Sequence, residues 1–339
     1  MTRRQLTWGF TLALAALLLV LAFQGVDWAE LFAAFGRVSL PNFLLVLALV
    51  ALNGVLRALR WRVLLTAKTD LSRIDAFWGT AAGYMGNFLL PARAGELIRS
   101  ALIAGRTGLN VAYVLATALT ERILDAAVLV IMALVTISLL PALPDWILDA
   151  ARGIAPFAVL GFLVLLVAPR LQGVFTRIIG RLPLGDTWRE RLLTLMQQFM
   201  QGAQAFQHGG RALGFAFYTV LVWSLDAVIM MTVARSLGMA VQPAEAFLLL
   251  ASLGLGSALP STPGYVGIYQ FVTVSVLVPL GYPQSGALAL ILFAQGMNYI
   301  VMISCGLLGV WRLNPGRGLR DLLQSAESRN DPFQSTSSK

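Results

Sequence analysis

One cysteine, Cys305, and one histidine, His208, are all that 339 residues contain of either. A lone thiol excludes a disulfide framework and a cysteine-based metal site, and a lone imidazole excludes a histidine cluster, so no metal and no cofactor is expected. Charge is scarce as well. Only 12% of residues are Asp, Glu, Lys or Arg against 58% hydrophobic, too little polar surface to coat a soluble globule of this size. No Gly-rich phosphate loop and no Asp-x-Asp metal pair is present to mark a nucleotide or donor site. The formal net charge of +9 comes from arginines set between apolar runs rather than gathered on one basic face. That pattern argues against nucleic acid and reads as a membrane-topology signal.

What is present in quantity is apolar sequence. Six stretches, at about 5–24, 39–58, 111–140, 152–169, 212–236 and 285–311, approach or exceed the roughly 20 residues of a spanning helix. Arg3 and Arg4 precede the first, but Leu21-Ala22-Phe23-Gln24-Gly25 is a poor cleavage site, so a retained span is expected. Arg57, Arg60, Arg62, Lys68 and Arg73 follow the second stretch, Arg170, Arg177, Arg181, Arg189 and Arg191 the fourth, and Arg312, Arg317 and Arg320 the sixth. The other loops carry Asp27, Glu30, Asp145 and Asp149, which puts both termini of a multi-pass protein of the cell (inner) membrane in the cytoplasm. Trp8, Trp28, Trp61, Trp146, Trp223 and Trp311 near the predicted span ends read as an aromatic belt. Residues 187–206 have helical apolar spacing among Arg and Gln and predict an amphipathic cytoplasmic helix, with a shorter one over 28–35 outside. Residues 313–339, rich in Ser, Asn and Asp beyond Arg320, predict a disordered cytoplasmic tail.

Two further apolar segments, 75–105 and 244–280, each contain a break: Pro91 to Gly95 in the first, Pro260, Pro263, Gly264 and Gly267 in the second. Proline removes a backbone donor and clashes with the preceding turn, at about 3 kcal/mol or more inside a helix. To keep the charge parity, each segment must enter and leave on one side, so each predicts a re-entrant helical hairpin. Leu90-Pro91-Ala92-Arg93-Ala94-Gly95 aligns with Leu259-Pro260-Ser261-Thr262-Pro263-Gly264, and the order of elements around both is the same. Asn53 then falls where Asp226 does, and Arg122 and Asp125 fall where Gln295 and Asn298 do. The fold predicted is an all-α polytopic membrane protein of about six spans and two re-entrant hairpins, arranged as inverted repeats over 1–140 and 150–312.

Ionisable groups in spans cost about 2.5–3.5 kcal/mol each on insertion scales and persist where they pair or line a pathway. Asn87, Arg93, Arg99 and Arg122 are candidates for holding a lipid headgroup, since a guanidinium fork matches phosphate oxygens. Glu96, Glu121, Asp125 and Asp226 are candidates for pairing with those cations, and Gln270, Gln295 and Asn298 are their polar counterparts in the second half. The alternative is that Glu96 and Glu121 only neutralise Arg99 and Arg122, locking hairpin to helix. Tyr265 and Tyr269 read as packing.

The ordered segments Leu90-Pro91-Ala92-Arg93-Ala94-Gly95-Glu96-Leu97-Ile98-Arg99, Glu121-Arg122-Ile123-Leu124-Asp125 and Pro260-Ser261-Thr262-Pro263-Gly264-Tyr265-Val266-Gly267 resemble the lysylphosphatidylglycerol synthetase transmembrane-region family, the flippase-like domains. The resemblance covers roughly residues 5–312. It implies a lipid-flippase fold and, in its best-known members, movement of aminoacylated phosphatidylglycerol between leaflets. Gln270 stands where that family often has an acid, and the sequence after Arg312 is too short for the soluble aminoacyl-transferase domain, so synthesis of the lipid is not expected. The expected function is transport, without catalysis, of an anionic or aminoacylated phospholipid or similar phosphate-bearing lipid. Membrane phospholipids are the expected partners, with self-association and a separate lipid-modifying enzyme as further ones. The alternative is a membrane transferase or accessory protein for polyprenyl-phosphate-linked glycan assembly.

Overall fold

The structure, a computed structural model, describes residues 3–90, 94–140, 172–181, 209–257 and 262–313 with a few isolated positions between, and every element among them is helical. In chain order these are α1 (Arg3–Phe23), α2 (Trp28–Gly36), α3 (Leu40–Leu65), α4 (Arg73–Leu89), α5 (Gly95–Thr107), α6 (Val111–Leu139) and α7 (Gln172–Arg181). They continue with α8 (Gly209–Ser236), α9 (Pro243–Gly256), a 3-10 turn (Pro263–Tyr265), α10 (Ile268–Leu277) and α11 (Gln284–Leu313). Four of them, α3, α6, α8 and α11, are long and apolar enough to cross a membrane. A fifth span results if α1 and α2, bent by 86° across Gln24 to Asp27, count as one. The expected fourth span at 152–169, the amphipathic helix at 187–206 and the tail beyond Leu313 lie almost wholly outside the described residues.

Local sequence sets the boundaries. Ser39, Ser72 and Asn110 accept hydrogen bonds from the backbone N–H groups of Asn42, Asp75 and Ala112, capping α3, α4 and α6. Gly108, at φ 73°, ends α5 in the left-handed conformation that glycine adopts without penalty. The first break follows from Pro91: the residue before a proline is pushed out of the helical region, and Leu90 is extended at φ −116°, ψ 150°.

The two broken segments are helical hairpins. Gly79, Gly83 and Gly86 form a groove on α4 into which α5 sits so closely that a Cβ on Gly86 would come within 2.7 Å of Gly95 Cα. A Cβ on Gly95 would overlap the Gly83 carbonyl. The partners of Gly79, Gly83 and Gly86 are Ile103, Arg99 and Gly95 in turn, so the arms are antiparallel, and their far ends meet where Arg106 Nε lies 3.4 Å from Asp75 Oδ2. In the second hairpin α9 packs on α10, and the far ends meet where Tyr282 donates to Glu245 at 2.5 Å and to the Ala240 carbonyl at 3.1 Å.

Helix α11 shows how the hairpins are placed. Gly309 packs on Trp78 near the base of the first hairpin, Tyr299 contacts Phe88 and Gly264 at the two tips, and Gly286 packs on Met239 at the base of the second. At 1.5 Å per residue the two bases are about 35 Å apart along α11, with the tips between them. The hairpins therefore point at each other from opposite ends, tip to tip. Exchanging α3 with α8, α4 with α9, α5 with α10 and α6 with α11 turns the packed pairs α4·α11, α4·α5, α3·α4, α5·α6 and α3·α6 into other observed pairs. The same exchange returns the α3·α8 pair to itself.

Candidate functional site

Hydropathy alone ends the second span near residue 58 and leaves Arg57 and Arg60 as loop cations. The helix instead runs on to Leu65, and both arginines turn inward. Val46, Val50, Asn53, Arg57, Arg60 and Leu64 recur at alternating intervals of four and three, so they share one face of α3, while Leu52 and Val55 face out. The stripe starts apolar and ends charged. Arg60 is fully buried.

An ion-pair network grows from that face. Arg60 donates to Glu121 Oε1 at 2.7 Å and to both oxygens of Asp125 at 2.6 and 2.9 Å. Glu121 also accepts from Arg99 at 3.0 Å, and Arg99 in turn lies 2.6 Å from Glu96. Glu96 accepts from Arg122 Nε and Nη2 at 2.9 and 2.7 Å. The chain Asp125, Arg60, Glu121, Arg99, Glu96, Arg122 thus ties α3, α5 and α6 together inside the protein. Beside it, Arg57 pairs with Asp226 of α8 and donates to Asn53 Oδ1 at 2.6 Å and the Tyr84 hydroxyl at 3.1 Å. Asn53 donates to Asp226 at 3.1 Å, so the two positions aligned in sequence touch each other.

Of these groups, Asn53, Arg57, Tyr84, Arg122, Asp125 and Asp226 border a cavity of about 260 Å³ between the hairpin tips. Its charged wall is Arg57, Arg122, Asp125 and Asp226, its aromatic wall includes Tyr84, Phe88, Trp223, Tyr265, Tyr269 and Tyr299, and its remaining polar groups are Asn53, Ser257, Gln295 and Asn298. The Arg57 guanidinium lies 5.8 Å from the Tyr84 ring centroid and 5.6 Å from that of Trp223, and Arg122 lies 6.0 Å from Tyr84. Such placements favour a cation held by ring faces. Trp223 is therefore on the cavity wall rather than in an aromatic belt, and Trp61 is fully buried under the Arg99 guanidinium at 4.4 Å, donating to Thr117. Trp28 and Trp311 are exposed.

The four headgroup candidates separate. Arg122 lines the cavity and its side chain is 29% exposed. Arg99, 3% exposed, and Asn87 are not on that wall. Asn87 accepts from the Gly95 N–H at 3.0 Å and so caps α5 from across the break. Pro91, Arg93 and Pro260 lie outside the described residues. Of the pairing candidates, Asp125 and Asp226 reach the cavity, whereas Glu96 and Glu121 lie behind it.

In the second half the joint is neutral. Gln270 accepts from the Gly267 N–H at 2.8 Å and donates to Gln295 at 2.5 Å. Gln295 and Tyr299 both donate to the Gly264 carbonyl, at 2.9 and 2.5 Å. Gly264, Tyr265 and Gly267 all have positive φ, at 71°, 62° and 91°, which frees that carbonyl from helical bonding. For Tyr265 this costs on the order of 1 kcal/mol, and its ring stacks on Tyr269 at 4.9 Å. Tyr265 and Tyr269, expected as packing, border the cavity as well.

The cavity thus offers hydrogen-bond donors, acceptors and ring faces to one polar guest, and five of its residues, Arg57, Tyr84, Phe88, Trp223 and Tyr299, carry no motif. The stripe spacing on α3 is the one sequence signal that reaches Arg57. Comparison with known proteins matches residues 8–306 to the lysylphosphatidylglycerol synthase TM region. A relative, the glycosyltransferase AglD of Haloferax volcanii, is 24% identical over 340 residues, covering 89% of this chain and 54% of that protein. The chain spans about half the length of that relative.

Proposed function

The chain belongs to the lysylphosphatidylglycerol synthase transmembrane-region family and is a multi-pass membrane protein, and from that premise we propose that it carries phosphate-bearing lipids between leaflets. The observation that carries this reading is the polar cavity between two hairpin tips, lined from both halves of the chain. Irregular backbone at bilayer depth needs packed protein or a watery cavity, and Phe88, Ser257 and Gly264, which flank the two breaks, line this one. The hairpin arms, about 26 and 20 Å in α4 and α5 and about 21 and 15 Å in α9 and α10, fall short of the roughly 30 Å hydrocarbon core. We read them as re-entrant from opposite faces, with their tips near the midplane. The paired helix contacts, and the touching of Asn53 with Asp226, support inverted repeats about an axis between α3 and α8. Arg62 and Arg312 near the ends of α3 and α11, with Lys68 and Arg73 between α3 and the body of α4, support a reading with both termini cytoplasmic in an inner membrane.

A headgroup would sit in the cavity with its acyl chains in lipid, and alternate opening of the two hairpins would expose it to either side. Transport rather than chemistry is favoured because the carboxylates at the cavity are engaged: Asp125 by Arg60, Asp226 by Arg57 and Asn53. Neither is poised as a free general base. Reconstitution in liposomes with acyl-labelled phospholipid and an impermeant quencher tests this. Labelled lipid should cross, and Arg57→Ala or Arg122→Ala should slow it about tenfold or more; unchanged rates in both variants would sink the site.

A second reading is a part in building polyprenyl-phosphate-linked glycans, and what favours it is that the Haloferax volcanii relative is named a glycosyltransferase. Extraction of the purified protein separates the two readings, since a polyprenyl phosphate bound in place of phospholipid would favour the second.

A further inference from the structure

Among the described residues, the charges around the cavity cancel. Two arginines, Arg57 and Arg122, and two carboxylates, Asp125 and Asp226, line it. Behind them Arg60 and Arg99 face Glu96 and Glu121, so the described residues of the cluster hold four cations and four anions. Such a site has no standing positive surplus. A purely anionic headgroup would bring a charge that this balanced lining leaves uncompensated, and an uncompensated ion held within protein is disfavoured.

Resting on the reading of this cavity as a lipid-headgroup site, we propose that it selects a zwitterionic headgroup, a phosphate and an ammonium of the phosphoethanolamine class, over anionic and cationic ones. The unused hydrogen-bonding capacity on its wall has that pattern. A guanidinium carries five N–H donors, and Arg122 gives two of them to Glu96 while its side chain remains 29% exposed. Its other donors can take phosphate oxygens without breaking that pair. Asp226 accepts one bond from Arg57 and one from Asn53, and a carboxylate has about four lone-pair positions. The rest can take an ammonium. Asn298, also on the wall, gives its amide N–H to the Ala294 carbonyl. The Tyr84 and Trp223 faces, already set against Arg57, favour a cation there too. Because the guest is neutral overall, both ends can be satisfied while the network stays intact.

The purified full-length protein, exposed to an equimolar mixture of phosphatidylethanolamine, phosphatidylglycerol and lysyl-phosphatidylglycerol with matched acyl chains, should retain the first by about tenfold over either other when bound lipid is read by native mass spectrometry. Asp226→Asn leaves the wall one charge positive and should move the preference to phosphatidylglycerol. Arg57→Gln leaves it one charge negative and should move it to the lysyl lipid. The double variant is neutral again and should restore phosphatidylethanolamine, so it reports on charge even where one single variant folds poorly. Equal retention of the three lipids, a wild-type preference for phosphatidylglycerol, or a double variant that behaves as either single one would overturn the proposal. Retention of no lipid overturns both the proposal and the headgroup reading. A phosphatidylethanolamine preference without any crossing in liposomes supports the proposal and removes only transport.

Discussion

The two hairpins solve one architectural problem with different chemistry. Each has a broken tip, a base clasped by side chains, and a joint to the long helix that follows it. In the first the joint is ionic: Glu96 and Arg99 on α5 meet Arg122 and Glu121 on α6, with Arg60 reaching in from α3. In the second the joint is made of amides and a phenol: Gln270 on α10 meets Gln295 on α11, and Gln295 and Tyr299 hold the Gly264 carbonyl. Removing one partner of a buried ion pair leaves a bare charge and costs about 3–5 kcal/mol. Losing a neutral bond costs about 0.5–1.5 kcal/mol, rising when a buried group is left unpaired. By this measure the first joint costs more to disrupt than the second.

Substitutions can break or sharpen that contrast. The largest effect is expected for Glu121→Gln, which takes the negative charge from between two buried arginines: a loss of about 3–5 kcal/mol, read as a fall in the thermal midpoint of the detergent-solubilised protein. Gln295→Leu should cost about 1–2 kcal/mol in the same measurement, because Tyr299 still holds the Gly264 carbonyl while the Gln270 amide loses its acceptor. If Gln295→Leu were as damaging as Glu121→Gln, the distinction between the joints would collapse. Smallest is the effect at the base. Arg106 is exposed and solvent screens its pair with Asp75, so Arg106→Ala should change stability by no more than about 1 kcal/mol. A crosslinking or hydrogen-exchange comparison should then find the second tip opening more often than the first.

Much of this was legible in the sequence, and the two hairpins differ in how much. Proline before an extended Leu90, and glycines at Gly264 and Gly267, mark the breaks because they act locally on the backbone. The intervals that put Arg122 with Asp125, and Gln295 with Asn298, on one helical face carry those residues to the cavity. Arg57 and Arg60 were lost because a span read by hydropathy stops at its first charge, whereas a helix stops only where its hydrogen bonding does. Arg60 is about 30 Å along α3, still inside the packed protein. The choice between Arg99 as ligand and Arg99 as structural ion could not be read from spacing. It depends on Trp61 and Glu121 closing around the guanidinium, and those contacts are tertiary. The aromatic wall was equally hidden, since Tyr84, Phe88 and Tyr299 resemble any other apolar-span aromatics until the tips are brought together.

The ion-pair network also bears on how such a chain is made. Arg60 is synthesised 61 residues before Glu121 and 65 before Asp125, and Arg57 precedes Asp226 by 169. At about 5–20 residues per second, Arg60 waits roughly 3–13 s for its partners and Arg57 roughly 8–34 s. Until then the guanidiniums of α3 lack their carboxylate partners. The insertion machinery, or the interface at which the newly made helix can rest, must shelter its charged end until the later helices arrive. A ribosome stalled just before Glu121 should therefore hold α3 near the translocon rather than release it.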